Sequence, residues 1–206
     1  MELFSSFEKT RDIDFICVFA KKNFGKKVLE VGCGGGERTH LFVKAGCNVT
    51  AVDLVDKRKT SLVSGHKFVV ADGRNLPFKD ETFDVVVSFD VLEHIDRERK
   101  FLEESSRVLK KGGTLVVGTP NRNRFSHKLR QLVGKKITYP LKIGEDCIHL
   151  REYTMDELVR AVVKCRLSTT RKEYVWFGLP GVFGFKKFPA FIRNWVQYLF
   201  VFAVKL

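Results

Sequence analysis

Short apolar stretches that alternate with helical patterns constrain the fold of this 206-residue chain more than any other feature. Each stretch is rich in β-branched residues and almost continuously apolar, which is typical of strands in a parallel sheet covered on both faces. Strands that alternate with helices predict βαβ units and a doubly wound α/β fold. The stretches are VLEV at 28–31, NVTAVDL at 48–54, KFVVAD at 67–72, FDVVVSF at 83–89 and TLVVGT at 114–119.

The segments between the strands, and the tail, carry helical periodicity. Thr154 and Glu157 form the capping-box pattern of a helix start, and Gly112-Gly113 is predicted to end the preceding helix. Because the chain shows no linker or repeat, residues 1–206 are assigned to a single domain that begins with a helix within 1–24. Helices are predicted at 7–23, 37–45, 57–63, 97–109 and 154–165, and two further strands at 167–177 and 196–205.

Composition excludes several classes of protein. Hydrophobic residues make up 44% of the chain, which indicates a globular domain rather than a disordered one. Charges occur throughout the first 23 residues, which argues against a secretory signal peptide, and no apolar run reaches the ~18–20 residues that span a bilayer. The five cysteines form no C-x-x-C pair, so we expect no metal site and no disulfide framework, and we predict a cytoplasmic location.

The net charge of +13 is unevenly distributed. Residues 121–206 hold 17 basic and 6 acidic side chains, a net of +11, whereas residues 1–120 have a net of +2. No acidic residue lies between Glu104 and Glu145. A basic field in one half suggests an anionic partner there, such as a phosphorylated or carboxylated substrate, RNA or a lipid surface. A solvated face that keeps the chain in solution explains the same pattern.

A glycine cluster, KKVLEVGCGGGERTH at 26–40, follows the first predicted strand. Glycine at a strand end lets backbone approach a ligand closely. The dinucleotide pattern G-x-G-x-x-G is not met, because its third glycine would fall on Glu37 or Thr39, and the P-loop pattern is absent. A pyrophosphate would also meet acidic side chains at this turn. The pattern that fits is E-x-G-x-G-x-G, formed by Glu30, Gly32, Gly34 and Gly36.

At these residues the sequence resembles the class I S-adenosylmethionine-dependent methyltransferases, in the branch that includes quinone-biosynthesis and other small-molecule enzymes. The resemblance covers residues 25–165 well and the tail only in outline. It implies a Rossmann-like, seven-stranded, mostly parallel sheet whose last strand is antiparallel, with S-adenosylmethionine as cofactor. Residues 25–120 are then the cofactor-binding half and 121–206 the acceptor-binding half. Glu30 would bind the ammonium group of the cofactor, directly or through water.

The resemblance extends to the ends of the next strands. Asp53 would accept hydrogen bonds from both ribose hydroxyls, and Leu54 would pack on the adenine. The family has an acidic residue near the adenine amino group, which corresponds here to Asp72 with Gly73 beside it. Ser88 and Phe89 would lie close to the methionine portion of the cofactor.

Candidates for catalysis and acceptor binding come later in the chain. His94 is a candidate general base that Asp90, four residues earlier, could orient, although it could also simply pack beneath the cofactor. The segment HLREYT resembles one that lies near the acceptor pocket in related enzymes, which makes His149, Arg151 and Tyr153 candidates for substrate binding.

The predicted reaction transfers a methyl group to an oxygen or nitrogen of a small, amphipathic or anionic metabolite. An RNA methyltransferase that uses the basic stretch 122–142 is an alternative, although the sequence has no appended RNA-binding module. The Phe-rich insert 177–191, with nearby tryptophans and lysines, fits peripheral contact with a membrane or the completion of the core. A third hypothesis is a non-catalytic methyltransferase-like subunit that uses this tail to bind a partner.

Overall fold

Seven strands form one central sheet in the computed structural model, which describes residues 13–58, 64–143, 147–179 and 183–206. In chain order, the strands are β1 Lys27–Val31, β2 Asn48–Asp53, β3 Lys67–Val70, β4 Phe83–Phe89, β5 Leu109–Pro120, β6 Leu141–Ile143, β7 Cys147–His149, β8 Leu167–Val175, β9 Phe177–Leu179, β10 Phe183–Phe185 and β11 Tyr198–Lys205. The sheet order is β3-β2-β1-β4-β5-β11-β8. Neighbouring strands from β3 to β5 are parallel, and β11 is antiparallel to β5 and β8. The predicted seven-stranded, Rossmann-like sheet is therefore confirmed.

Helices cover both faces of this sheet, because its central strands are apolar on both sides. Alternate residues of β1 enter different cores: Leu29 joins a cluster with helix α5 (Met155–Val163), and Val28 joins one with helix α1 (Ile13–Lys21). The phenylalanine rings of α1 pack on β11, with Phe15 and Phe200 centred 5.0 Å apart. The helices are α1 Ile13–Lys21, α2 Glu37–Lys44, α3 Glu98–Val108, α4 Phe125–Leu132 and α5 Met155–Val163.

The helix predictions agree with the structure where the pattern was strong. The helices predicted at 37–45, 97–109 and 154–165 are present, and the capping box is formed, with the Thr154 N–H donating to Glu157 at 2.9 Å. The first helix is described from residue 13 onward, and residues 59–63 of the helix predicted at 57–63 lie outside the described residues. Helix α4 was not predicted from the basic stretch.

The prediction for Gly112-Gly113 was wrong. Helix α3 ends at Val108, where Leu109 turns extended, and both glycines lie within β5. A Cβ on Gly113 would lie 2.8 Å from the Lys110 carbonyl oxygen, and Gly112 has φ 70°. The β4–β5 register shifts here, between Phe83 and Val85. The two glycines therefore allow an irregular backbone within β5 and do not terminate helix α3.

The parallel arrangement brings the carboxyl ends of β1 to β5 to one edge of the sheet. The β6–β7 hairpin is tied to this edge: the Leu150 N–H donates to the Glu93 carbonyl at 2.8 Å. Asn121, just after β5, donates to the carbonyls of Asn194 and Val196 at 2.9 and 2.8 Å. Tail segments are thus held next to the strand ends.

Candidate active site

A cavity of about 330 Å³ opens at the carboxyl edge of the sheet. The loops after β1, β2, β3 and β4 form its walls, and three carboxylates line it against one guanidinium. This balance of charge suits a cationic ligand better than an anionic one. The lining residues are Val31, Gly32, Gly34, Val52, Asp53, Leu54, Ala71, Asp72, Gly73, Arg74, Asp90, Val91, His94, Ile95 and Phe101.

The glycine loop after β1 has a backbone that only glycine tolerates at Gly32. Its φ is 82°, and its N–H donates to the Val52 carbonyl at 2.7 Å. A Cβ there would lie 2.1 Å from Cγ2 of Val91. Gly36, with φ 85°, precedes the first residue of α2. The loop therefore presents bare backbone to the cavity.

Asp53 holds this loop in place from the end of β2. Its Oδ2 accepts a hydrogen bond from the Gly34 N–H, and its Oδ1 accepts one from the Leu54 N–H, both at 2.8 Å. A carboxylate oxygen has a second lone pair, so both oxygens keep capacity for a ligand hydroxyl. Leu54 is 62% exposed on the rim of the cavity.

Asp72, on the far wall of the cavity, is already paired with Arg74. The guanidinium donates to it at 2.7 and 3.0 Å and also binds Asp96. This pairing lowers the pKa of Asp72 below its ordinary value. Gly73 must be small, since a Cβ would lie 2.6 Å from the ring of Phe101.

Glu30 lies behind the glycine loop and is 2% exposed. The hydroxyl of Thr39, on α2, donates to its carboxylate. Burial raises the pKa of Glu30 to about 7, although Thr39 and Arg38 act in the opposite direction. The carboxyl can therefore change its charge near neutral pH when a cation approaches.

Ser88 and Phe89 are buried at the end of β4, and neither lines the cavity. Phe89 packs on Phe200 with ring centroids 5.8 Å apart, in the core on the α1 side of the sheet. The Ser88 hydroxyl has no hydrogen-bond partner among the described residues.

His94 lies on the rim of the cavity, on a 3₁₀ turn over Leu92–His94. Its Nδ1 donates to the Ile148 carbonyl at 2.7 Å, which leaves Nε2 as an acceptor. The hypothesis that Asp90 orients it was wrong. Asp90 takes φ 56° and pairs with Arg38 at 2.6 Å, because the chain after β4 turns sharply instead of starting an α-helix.

His149 lies against His94, with ring centroids 5.0 Å apart, and belongs to a buried polar network. Its Nδ1 donates to Glu152 at 2.7 Å, and the same carboxylate accepts hydrogen bonds from Arg124 and Tyr139. Burial opposes the ionisation of Glu152, but His149 and Arg124 outweigh it and lower its pKa to about 2.

Arg151 and Tyr153 lie away from the cavity lining. Arg151 pairs with Glu98 at 2.7 Å and covers the Tyr153 ring at 4.4 Å. Tyr153 is fully buried and donates its hydroxyl hydrogen bond to Glu98. Both side chains therefore contact α3 through Glu98 and help to pack this helix against the segment that precedes α5.

Sequence reasoning missed Glu93, which is fully buried beneath His94. Its Oε2 accepts a hydrogen bond from Thr119 at 2.9 Å, whereas Oε1 has no hydrogen-bond partner within the described ranges. Burial, with Asp90 nearby, raises the pKa of Glu93 well above its ordinary range. An acidic residue directly before His94, between the apolar Leu92 and Ile95, was the available signal.

Known proteins resemble this chain in both sequence and fold. Residues 29–117 match the family model described as a methyltransferase domain. The chain is 31% identical to the mitochondrial ubiquinone biosynthesis O-methyltransferase of Schizosaccharomyces pombe over 179 residues, 80% of this chain and 61% of that relative. It is 33% identical to the ubiquinone biosynthesis O-methyltransferase of Actinobacillus pleuropneumoniae serotype 7, over 57% of this chain and 55% of that one. The chain thus spans less than two thirds of either relative.

A solved structure, an S-adenosylmethionine-dependent methyltransferase from Methanosarcina mazei, shares the fold with a TM-score of 0.65. The two are 22% identical, over 88% of this chain and 93% of that one. Together with the strand order and the glycine loop, the sequence matches make this chain similar to class I S-adenosylmethionine-dependent methyltransferases, most clearly over residues 29–117, and the solved structure shows that it shares their fold. The family implies S-adenosylmethionine as the cofactor.

Proposed function

We propose that this chain transfers a methyl group from S-adenosylmethionine to a hydroxyl oxygen of a small, amphipathic acceptor. The acidic, glycine-walled cavity at the ends of β1 to β4 carries the proposal, because its lining suits a cationic nucleoside without phosphate. The names of the two ubiquinone biosynthesis relatives favour oxygen over nitrogen as the atom methylated.

The proposed roles of the cofactor-binding residues follow their positions. Glu30 binds the ammonium group directly or through water, and the backbone of Gly32, Gly34 and Gly36 approaches the ribose and the amino-acid tail. Asp53 accepts from the ribose hydroxyls and Leu54 packs on the adenine. The adenine amino group lies near Asp72 and Gly73, and Ser88 and Phe89 support the methionine end from within the sheet.

The cofactor supplies the activated methyl carbon and a neutral leaving group. The acceptor oxygen attacks this carbon, the C–O bond forms as the C–S bond breaks, and the electron pair remains on sulfur. The acceptor hydroxyl must lose its proton, so a group that assists this loss is needed at the rim. His94 is the proposed catalytic residue there, and His149, Arg151 and Tyr153 remain the proposed acceptor-side residues.

Calorimetry with S-adenosylmethionine and its demethylated product tests the cofactor assignment, and we expect one site per chain for each ligand. Labelled cofactor mixed with metabolite extracts then tests methyl transfer to an organic-soluble acceptor. The absence of binding heat with both ligands would contradict the proposal. Cofactor binding with turnover only in the presence of a second protein would favour the partner-subunit alternative.

The basic stretch gives less support to an RNA acceptor than its composition suggests. Two of the seven cationic residues in 122–142 are already paired: Arg122 with Glu157, and Arg124 with Glu152. Pairing removes cations from the field that phosphates would meet. Binding of tRNA that falls steeply with salt would reverse this preference.

The amphipathic acceptor fits a surface at the tail. Within the described residues no helix is long and apolar enough to cross a membrane. However, Phe191 and Trp195 are 82% and 41% exposed, and Lys186 and Lys187 lie a few positions earlier in the sequence. We propose peripheral contact with a membrane in a reducing compartment such as the cytoplasm, which suits the five free thiols.

Flotation with anionic vesicles tests this contact. The Phe191→Ser variant should bind vesicles less than the wild type, whereas Phe24→Ser, which changes a similarly exposed ring elsewhere, should not. Equal binding by both variants would contradict the membrane proposal.

A further inference from the structure

Three nitrogen and sulfur ligands converge beside the rim of the cavity. His94 lies on the 3₁₀ turn after β4, and Cys147 and His149 lie on β7. One donor atom from each lies within 4.8 Å of the other two. Cys147 and His149 are two positions apart on a strand, so their side chains leave the same face.

Each imidazole is oriented by a hydrogen bond at its Nδ1, so Nε2 is the ring nitrogen that remains for a metal. Nδ1 of His94 donates to the Ile148 carbonyl, and Nδ1 of His149 donates to Glu152, both at 2.7 Å. In the neutral ring, these bonds place the proton on Nδ1 and the lone pair on Nε2. A histidine that binds a metal has the same support, since its second nitrogen donates to a carbonyl or carboxylate.

The surroundings of the cluster favour positive charge. Oε1 of Glu93 is buried without a hydrogen-bond partner among the described residues and lies 4.0 Å from Nε2 of His94. A cation bound at the cluster would lie close to the Glu93 carboxyl, whose unpartnered oxygen could offset its charge.

We propose that His94, Cys147 and His149 bind a divalent transition-metal ion, and that Zn²⁺ is the ion this ligand set fits best. Imidazole and thiolate ligands select zinc, and three protein ligands with an open fourth position are the pattern of catalytic zinc sites. Ligand atoms of a tetrahedral site lie roughly 3.3–3.6 Å apart, so closure requires movements of about 1 Å. The spacing of the cysteines alone gave no sign of this site.

The role of the ion rests on the proposed methyl transfer, whereas its binding does not. His94 lines the cavity, so the ion would lie at the rim where the acceptor enters. An acceptor hydroxyl in the open position would have a lowered pKa and release its proton to solvent before its oxygen attacks the methyl carbon. His94 would then act as a metal ligand and not as the general base.

Cobalt binding to the chelator-treated, full-length protein tests the site. We expect one Co²⁺ per chain and a thiolate-to-cobalt absorption band, which Cys147→Ser abolishes. His149→Ala should weaken binding by at least about tenfold. The matched controls, Cys17→Ser and His66→Gln, should retain the wild-type spectrum and affinity. A band that survives in Cys147→Ser, or Co²⁺ binding as weak in the wild type as in that variant, would overturn the proposal.

A measurement on the wild-type chain removes the dependence on variants that fold poorly. Zn²⁺ should slow alkylation of Cys147, followed by mass spectrometry, and leave the rate at the half-buried Cys17 unchanged. Equal rates with and without Zn²⁺ at Cys147 would also overturn the proposal. Calorimetry with S-adenosylmethionine on the same samples separates the two ideas: cofactor binding without metal binding rejects only the metal site, and the reverse rejects only the proposed methyl transfer.

Discussion

Two buried glutamates, one on each side of the proposed reaction centre, have pKa values that are shifted in opposite directions. Glu30 on the cofactor side has its pKa raised to about 7, and Glu152 on the acceptor side has its pKa lowered to about 2. Both are almost completely buried, so burial does not explain the difference. Glu30 accepts one hydrogen bond, from a hydroxyl. Glu152 accepts three, from the guanidinium of Arg124, the imidazole of His149 and the phenol of Tyr139.

The contrast extends to how the two sides are built. The cofactor side consists of backbone and glycine, with a carboxyl whose charge a bound cation can change. The acceptor side is built around Glu152, whose charge Arg124 and His149 stabilise before any ligand binds. A bound cofactor can therefore shift the protonation of its own site, while the acceptor side is organised before any ligand arrives. The five predictions below test this difference.

The largest expected effect is on stability, from Glu152→Gln. Loss of the charge leaves Arg124 buried without its partner, so we expect the free energy of unfolding to fall by about 3–5 kcal/mol. The control Glu103→Gln removes an exposed pair with Arg99 and should cost less than about 1 kcal/mol. Urea denaturation measures both.

The pH dependence of the same residue follows from its lowered pKa. Its contribution to stability is fully present above the ordinary value of 4.5 and is lost as pH falls through about 2. Glu152→Gln should show no such loss over this range. A wild-type loss of stability confined to higher pH would show that other groups dominate.

The next effect is that of Gly32→Ala. The new methyl group would overlap Val91, so stability should fall by about 1–3 kcal/mol more than in the control Gly112→Ala. That control has a similar φ of 70° but open space around the added carbon. Cofactor affinity should fall only in Gly32→Ala. Equal stability of the two variants would mean that the loop or Val91 can move to accommodate the added methyl group.

A smaller effect is expected for Glu30→Gln in calorimetry. Loss of a charge-assisted contact with the cofactor ammonium should weaken S-adenosylmethionine binding about ten- to hundredfold. Wild-type affinity should rise as pH rises through about 7, because the carboxyl becomes ionised, and the variant should lack this rise. In the free chain the sign is opposite: the stability from the raised pKa is present below 4.5 and is lost as pH rises through about 7.

The smallest effect is expected for Ser88→Ala. Removing a buried hydroxyl without a hydrogen-bond partner should leave stability unchanged or raise it by up to about 1 kcal/mol. Thr169→Val is a matched control, because its hydroxyl is similarly buried and unpaired within the described residues. A fall in cofactor affinity in Ser88→Ala alone would support the proposed cofactor role, and unchanged affinity would assign Ser88 to the core.

The fold and the cofactor side could be predicted because their signals are local. A strand, a glycine turn and an acid at the next strand end are each visible within a few residues, as at Gly32 and Asp53. The acceptor side depends on contacts between distant residues. Arg124 and Glu152 are 28 positions apart, and His94 meets Ile148 across 54, and no local pattern announces either pair.

The position of β11 has a consequence for synthesis on the ribosome. This strand follows β8 in the chain but lies between β5 and β8 in the sheet, with Phe200 opposite Gly118 on one side and Glu173 on the other. While the chain is emerging from the ribosome, β8 has no neighbouring strand with which to pair. The edge of β5 also stays unpaired until its partner, some 80 residues further along the chain, has been synthesised. The cofactor side, formed by β1 to β5, can fold early, but the pairing of the sheet is completed only once residues 198–205 have left the exit tunnel.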